Sequence, residues 1–245
     1  MSYLSHEDSD SYTVPTLDGG RIDYTRVTKI KDILANPILE FWRIKNVAEY
    51  AVDNHDIIGK MLERDDRKTA LKNIKGAQWG PRDKAAGLGK AVHKKIERLI
   101  LGEEVDIRPE EQPYINAFRE FVADHPSSVF EASEMTVVNY TVGYAGTLDA
   151  LMRFDDRVGA VDWKTRQGKK KADVSMYERE RLQVAAYVHA EYGLVGDDIK
   201  PLPRSLKGGS VVMLCTDGYK LERVSEDDWL GFKAARELFR WKEGL

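Results

Sequence analysis

An acid and a base lie two residues apart in GAVDWKTRQGKK, an apolar segment followed by cations at residues 159–170. If this segment is a strand, Asp162 and Lys164 share one face, because side chains i and i+2 of a strand point the same way. The same spacing recurs at positions 66/68 and 198/200, so the spacing alone does not identify a site. Taken alone, the pair favours the alternative of a partly exposed salt bridge, worth about 0.2–1 kcal/mol.

A second acid, Asp149, lies in GYAGTLDALMRF, a preceding run that also predicts a strand. If the two strands form a hairpin that turns at Asp156 and Arg157, Asp149 faces Lys164 across the pair. Directly opposed residues project to the same face, so Asp149, Asp162 and Lys164 are expected to cluster. A one-residue slip would move one strand's side chains to the opposite face. The predicted cluster therefore depends on the register of this hairpin.

Two carboxylates beside an ammonium suit one kind of chemistry. Carboxylate oxygens are ligands for hard divalent cations such as Mg²⁺ and Mn²⁺, which bind and polarise phosphate. A lysine beside such a cation can stabilise charge that develops on the phosphate, or help to deprotonate or orient the attacking water. The cluster therefore predicts phosphodiester hydrolysis, and a cross-strand salt bridge remains the alternative.

The helices and strands that position this cluster are predicted from the spacing of apolar residues and from proline and helix-capping residues. Apolar residues recur every three or four positions from about residue 26 to 63, which predicts helices broken at Pro37. KAAGLGKAVHKKIERLILG predicts a helix that carries His93, and another helix precedes Pro126. Three strands, a helix, a strand with a hairpin partner, and a last helix capped by Ser225 complete the chain. We expect three regions in one compact unit: a flexible arm at 1–22, a helical region at 23–126 and an α/β core at 127–245.

Composition narrows the class of protein. The chain has 245 residues, of which 32 % are charged and 42 % hydrophobic, as in soluble globular proteins. No apolar run reaches the roughly 20 residues of a membrane span, so we expect no membrane association and a cytoplasmic location. The single cysteine, Cys215, excludes an internal disulfide and an iron–sulfur cluster held by four thiolates of one chain. With a net charge of −3, the chain would need a local basic surface to bind nucleic acid.

Four short motifs carry a resemblance to a known family. GTLD (146–149), VDWKT (161–165) and QVAAY (183–187) resemble the G-x-x-D, D-x-K and Q-x-x-x-Y motifs of RecB-like nucleases in the PD-(D/E)XK superfamily, and GLGKAVHKKIE (87–97) resembles their G-x-x-x-H helix. The likeness covers about residues 26–192 and is greatest to compact phage-encoded RecB-like exonucleases. It implies an α/β, restriction-endonuclease-like core of helix, three strands, helix and strand, with a mixed sheet flanked by helices and an N-terminal helical extension.

The resemblance also implies roles for the residues of the sheet and the histidine helix. Asp149 and Asp162 would bind Mg²⁺ or Mn²⁺, joined by the carbonyl of Trp163, and Lys164 would be the catalytic lysine. His93 would be a further metal ligand or would organise the site. Glu134 begins the first strand, where some relatives carry another acid.

Further roles are implied for the helix and loop that follow the third strand. Gln183 and Tyr187 lie four apart and so share one helix face. Gln183 would steady the site, and Tyr187 would contact DNA or close the pocket. Four cations could hold a DNA backbone through phosphate contacts, with a solvated loop as the alternative for the first three: Lys169, Lys170, Lys171 and Arg179.

The resemblance implies a Mg²⁺- or Mn²⁺-dependent exonuclease that acts on DNA ends or single strands in phage replication, recombination or DNA processing. The sequence has no G-x-x-x-x-G-K-[ST] motif, so a partner helicase or recombinase would have to supply any unwinding. Two alternatives stay open. One is a sequence- or structure-specific endonuclease of the same superfamily, and the other is a non-catalytic DNA-end-binding module.

Overall fold

The computed structural model describes residues 10–154, 157–196, 198–203 and 206–245. The chain divides into two compact units, one formed by Met1–Leu34 with Ala91–Leu245 and the other by Ala35–Lys90. The predicted regions at 1–22, 23–126 and 127–245 stay a prediction. None of the described helices combines the length and apolar composition that a membrane crossing requires.

The described residues form eight α-helices and nine strands. The helices are α1 Val27–Lys31, α2 Pro37–Asp53, α3 His55–Glu63, α4 Arg67–Gly76, α5 Gly80–Ile100, α6 Gln112–Asp124, α7 Glu178–Val188 and α8 Glu226–Glu243. The strands are β1 Ser11–Pro15, β2 Arg21–Thr25, β3 Val129–Asn139, β4 Tyr144–Phe154, β5 Arg157–Thr165, β6 Tyr192–Val195, β7 Asp198–Pro201, β8 Leu206–Cys215 and β9 Gly218–Arg223.

The larger unit is an α/β domain around a mixed seven-stranded sheet in the order β7-β6-β3-β4-β5-β8-β9. Strands β5 and β8 pair in parallel, and the other neighbours pair antiparallel. The parallel pair is possible because α7 lies between the two strands in sequence and makes the crossover that parallel strands need. The predicted order of helix, three strands, helix and strand is thus present as α6, β3, β4, β5, α7 and β8.

Helices cover both faces of the sheet at β5. The ring of Trp163 meets the rings of Phe118 and Phe121 on α6, each with a centroid distance of 5.4 Å. Asp162, the preceding residue, accepts a hydrogen bond from Gln183 on α7. Because successive side chains of a strand point to opposite faces, α6 and α7 lie on opposite sides of β5.

Four strands of the structure were not predicted from the sequence: β1, β2, β6 and β7. The expected flexible arm at residues 1–22 contains strand β1, which pairs with β2 as an antiparallel hairpin. Val14 and Tyr12 of this hairpin are buried in a cluster with Val138 and Ala145 of the main sheet, so apolar packing orders the segment. Strands β6 and β7 were also missed, because the first directly follows the periodic pattern of α7 and each has only four residues.

The register of the β4–β5 hairpin also differs from the prediction. Phe154 pairs with Arg157 rather than with Gly159, a shift of two residues, and the predicted turn residue Asp156 lies outside the described residues. The prediction that Asp149 faces Lys164 was therefore wrong, and the observed register aligns Asp149 with Asp162. Because the shift is even, it leaves every side chain on its predicted face, and the predicted cluster survives.

The smaller unit, Ala35–Lys90, contains α2, α3, α4 and the start of α5. The predicted break at Pro37 is confirmed, since α2 begins there and the Asn36 side chain accepts a hydrogen bond from the Leu39 amide at 3.0 Å. Asp66 caps α4 by accepting a hydrogen bond from the Thr69 amide at 3.3 Å. The Asp-x-Lys pattern at positions 66/68 thus marks a helix start.

Candidate active site

Asp162 is the buried centre of the candidate site, with 1 % of its surface exposed. Its Oδ1 accepts a hydrogen bond from Gln183 Nε2 at 3.0 Å, and its Oδ2 lies against the ammonium of Lys164. Lys164 is thus the partner of Oδ2, and Gln183 is the partner of Oδ1. Burial raises the pKa of Asp162; Lys164 lowers it, but repulsion from Asp149 helps to keep it above its ordinary value of 3.8.

Asp149 binds the main chain of the neighbouring strand. Regular pairing of β4 with β5 ends at Ala150 and Val161. Beyond this pair, the Trp163 amide donates a hydrogen bond to Asp149 Oδ2 at 2.7 Å. The Asp149 carboxylate thus takes the place of the main-chain carbonyl that would accept this hydrogen bond in a regular strand pair. Burial would raise the pKa of Asp149, but attraction to His93 and Lys164 and the two hydrogen bonds it receives leave that pKa lowered.

His93, on α5, lies beside the same carboxylate. Its Nδ1 is 3.4 Å from Asp149 Oδ2, and its side chain is a quarter exposed. Burial would lower the pKa of His93, but Asp149 and Asp162 raise it more, so the net shift is upward from 6.5. The resemblance placed His93 at the site from a single helix motif, and the structure brings it to Asp149.

Lys164 completes the cluster at the carboxyl end of β5. Burial would lower the pKa of Lys164, but the carboxylates of Asp162 and Asp149 raise it above 10.5. The ammonium therefore stays charged at neutral pH, and its side chain remains 22 % exposed. It can reach a substrate while it contacts Asp162.

Helix α7 closes the site on one face of the sheet. Gln183 Nε2 donates to Tyr187 Oη at 3.0 Å as well as to Asp162, which matches the steadying role expected for Gln183. A Cβ at Gly146 would lie 2.8 Å from Tyr187 Cε1, closer than atoms pack. The glycine of the G-x-x-D motif is thus needed so that the tyrosine of the Q-x-x-x-Y motif can lie against β4.

The two roles expected for Tyr187 separate in the structure. Its side chain is 2 % exposed, so no ring surface is free to contact DNA, and the expectation of a DNA contact is not supported. Its position under Gln183 supports the other role, that of closing the pocket. The pKa of its hydroxyl is raised, first by burial and then by Asp162 and Asp149, so Tyr187 remains a neutral hydrogen-bond partner.

Glu134 lies near the cluster in a strained backbone conformation. Its φ of 49° is in the left-handed region, which non-glycine residues enter at a cost. On the neighbouring strand β4, Leu148 and Leu151 both pack in one core cluster. Residues three apart in a regular strand point to opposite faces, so the alternation of faces is interrupted beside Asp149. Burial and then Asp149 raise the pKa of Glu134 to about 7. The structure places this acid within the field of the site, and its role as a ligand stays a prediction.

Lys31 of α1 is a member of the cluster that the sequence analysis missed. Its Nζ donates to Gln183 Oε1, opposite the amide nitrogen that binds Asp162. Burial of the ammonium, and then repulsion from Lys164, lower the pKa of Lys31 to about 8. A signal was available: Lys31 lies four residues after the buried Val27, and residues four apart share a helix face.

The cationic loop after β5 is held by its main chain. The amide of Gly168 donates to Tyr114 Oη at 3.0 Å, and the amide of Lys171 donates to Asp217 Oδ1 at 2.8 Å. Thr216 donates from its amide to the carbonyl of Lys169 at 3.0 Å. The lysines at 169, 170 and 171 are all exposed, so an ordered loop presents three ammonium groups next to the site.

Arg179 differs from these lysines. It forms an ion pair with Asp32, and its side chain is 23 % exposed. Its charge is therefore already partly neutralised within the protein. The prediction that Arg179 binds DNA stays untested.

The donor set fits Mg²⁺ or Mn²⁺. Among the residues that the structure describes, no three His, Cys, Asp or Glu side chains converge closely enough to hold a metal alone. Mg²⁺, however, normally takes one or two carboxylates and keeps several waters. Asp149 and Asp162 supply two carboxylates, whose repulsion adds to burial in raising the pKa of Asp162, and a hard cation between them would offset that repulsion. His93 and the Trp163 carbonyl remain the further ligands that the resemblance implies.

Comparison with known proteins does not identify a family or a function for this chain. The sequence matches no protein-family model and no curated protein. The crystal structure of SSO0001 is similar, with 14 % sequence identity over 83 % of this chain and 87 % of that chain, and a TM-score of 0.32. Values this low assign neither a fold family nor a function to this chain.

Proposed function

We propose that this chain is a metal-dependent DNA exonuclease with a restriction-endonuclease-like core, which hydrolyses phosphodiester bonds at DNA ends or in single strands. One observation carries the proposal: Asp162 is buried between Lys164 and Gln183, beside Asp149, so that two carboxylates share one site with a lysine that contacts Asp162. Two neighbouring carboxylates repel each other, and a bound cation would offset that repulsion. Perturbed carboxylates of this kind cluster at functional sites.

Each side chain has a task in this reaction. Asp149 and Asp162 would hold Mg²⁺ or Mn²⁺, which when bound supplies an activated water and polarises the phosphate. Gln183 fixes the orientation of Asp162 through Oδ1 and so leaves Oδ2 directed to the site. Lys164 would stabilise the negative charge that develops on the phosphate, or help to deprotonate or orient the attacking water.

The surroundings of the site support a nucleic-acid substrate. The three exposed lysines at 169–171 follow β5 directly, and such cations bind phosphates through salt-sensitive contacts. The order α6, β3, β4, β5, α7 and β8 follows the helix, three-strand, helix and strand order of the proposed core. A helicase or recombinase partner would supply any unwinding, and the chain would act in the cytoplasm, which is the host's cytoplasm if a phage encodes it.

Digestion of labelled DNA tests the proposal. End-labelled linear DNA and covalently closed circles are incubated with Mg²⁺, Mn²⁺ or EDTA, using the wild type, Asp162→Asn and Asp198→Asn. Asp198 is a matched control, because it carries the same Asp-x-Lys spacing on the exposed edge strand β7. We expect metal-dependent loss of linear DNA only, abolished in Asp162→Asn and unchanged in Asp198→Asn.

Other outcomes separate the alternatives. Cleavage of closed circles identifies an endonuclease. Metal-independent binding of ends without cleavage identifies an end-binding module. Full activity in Asp162→Asn contradicts the catalytic assignment altogether.

A further inference from the structure

Lys31 holds a positive charge that Asp162 and Asp32 attract from a distance without contacting it. The residue is partly buried on α1, and its Nζ donates to the neutral amide oxygen of Gln183. Among the described residues, no carboxylate oxygen lies within 4.0 Å of this ammonium. The adjacent acid, Asp32, is paired with Arg179. The ammonium of Lys31 therefore has no anionic partner in contact.

Lys95, another largely buried lysine, is paired with a carboxylate. Lys95, with 18 % of its side chain exposed, lies 2.8 Å from the carboxylate of Glu111. Lys31 instead has another cation, Lys164, as its strongest charged neighbour, and the result is a pKa lowered to about 8 by burial and then by that repulsion. A buried cation is stable when it is paired, so two neighbouring ammonium groups on one site point to an anion that binds between them.

The geometry points to a phosphate subsite: we infer that Lys31 and Lys164 together bind one phosphate of the nucleic-acid backbone, on the side of Gln183 opposite Tyr187. The inference rests on the proposed function, and it adds a residue from α1 to the substrate contacts. Gln183 links the two parts, because its oxygen accepts from Lys31 while its nitrogen donates to Asp162 and Tyr187. An anion at Lys31 would thereby be held in a fixed relation to the carboxylate of Asp162.

Binding without catalysis tests the subsite. Fluorescence anisotropy in EDTA measures the affinity for a single-stranded oligonucleotide and for copies that carry one neutral methylphosphonate at each terminal linkage in turn. The variants are Lys31→Met, which removes the charge while it keeps an apolar side chain of similar length, and Lys31→Arg, which keeps the charge. Lys29→Met is the matched control, since Lys29 lies on the same helix but pairs with Asp10 at 2.8 Å on the surface.

We expect one linkage whose neutralisation weakens wild-type binding by about tenfold or more, as for one charged hydrogen bond. In Lys31→Met, binding should be weaker and neutralising that linkage should cost clearly less than in the wild type, because only Lys164 remains to contact this phosphate. Lys29→Met and Lys31→Arg should keep the wild-type discrimination. Thermal unfolding verifies that each variant is folded, and replacing a buried charge by an apolar side chain is often neutral or stabilising.

Two outcomes overturn the inference. If Lys31→Met discriminates between the linkages as the wild type does, Lys31 only supports Gln183 and binds no phosphate. If no single linkage matters to the wild type, the subsite does not exist. Either result leaves metal-dependent cleavage and its loss in Asp162→Asn untouched, so the failure of this inference is distinguishable from the failure of the proposed function.

Discussion

Two buried carboxylates in the larger unit, Glu111 and Asp162, have pKa values shifted in opposite directions. Glu111, at the start of α6, is fully buried and accepts hydrogen bonds from the Arg108 amide and the Arg108 Nε, each at 2.8 Å. Lys95 lies 2.8 Å from its other side. Burial would raise the pKa of Glu111, but these partners outweigh burial and lower that pKa to about 2.

Asp162 is equally shielded from solvent, but it lies deeper in the protein and has fewer partners. One of its oxygens accepts a hydrogen bond from Gln183, and the other is paired with the ammonium of Lys164. Repulsion from Asp149 adds to burial, and the pKa of Asp162 is raised rather than lowered. The difference separates a carboxylate that stabilises the fold from one that remains available to a ligand, and each prediction below tests one side of this contrast.

The largest effect is expected at Asp162. Replacement by Asn keeps the shape but removes the charge, so we predict a loss of cleavage of about 1,000-fold or more, as for other central catalytic groups. Because the substitution also removes repulsion with Asp149, the free energy of unfolding should stay the same or increase. Cleavage rates and urea unfolding measure the two quantities. A variant that is inactive and strongly destabilised would place Asp162 with Glu111 as a structural carboxylate.

The opposite pattern is expected at Glu111. Glu111→Gln leaves Lys95 and Arg108 without their anion, and we predict a loss of about 2–3 kcal/mol in the free energy of unfolding. Cleavage by the folded variant should be unchanged, because Glu111 lies outside the cluster around Asp162. Glu110→Gln is the matched control, since Glu110 is exposed and its nearest atom is 3.4 Å from Arg108. Unfolding that is identical in both variants would contradict the structural assignment.

The contrast extends to pH. The pKa of Glu111 is about 2 in the folded protein against an ordinary 4.5, so its stabilisation is complete above about pH 4.5 and is lost as the pH falls toward 2. Urea unfolding at pH 7 and pH 3 should therefore show a difference between wild type and Glu111→Gln that shrinks in acid. A difference that stays constant would mean that the carboxylate is not held ionised by its partners.

A smaller effect, on DNA binding, is expected for the exposed lysines in the loop after β5. Replacement of the lysines at 169, 170 and 171 by Gln should weaken DNA binding by about tenfold near physiological salt and flatten the dependence of log Kd on log salt concentration by about 2. A double variant at the exposed Lys200 and Lys242 is the control and should change neither. An unchanged salt dependence in the loop variant would return these lysines to the alternative of a solvated loop.

Sequence reasoning succeeded where local chemistry decides the structure. Pro37 starts α2, and Ser225 with Asp228 forms the capping box that opens α8. The side chains of Asp162 and Lys164 share a face because the two-residue period of a strand requires it. The face of Asp149 was also predicted, although the register was wrong, because an even shift preserves faces.

The features that were missed depend on how distant elements pack. Lys31 reaches Gln183 because α1 packs beside α7; the spacing from Val27 places Lys31 on the inner face of α1 but does not say which element that face meets. The hairpin of β1 and β2 is ordered by burial of Val14 against the main sheet, although its sequence is polar. The left-handed φ of Glu134 arises where β3 passes the interrupted part of β4, and an acidic residue at that position gives no sign of it.

Metal binding tests the central claim most directly. Isothermal titration calorimetry with Mn²⁺ in the absence of DNA compares the wild type, Asp162→Asn and Glu111→Gln. If the carboxylate of Asp162 belongs to a metal site, the wild type and Glu111→Gln bind Mn²⁺, and Asp162→Asn does not. Equal binding by Asp162→Asn, or none by the wild type, would contradict the account.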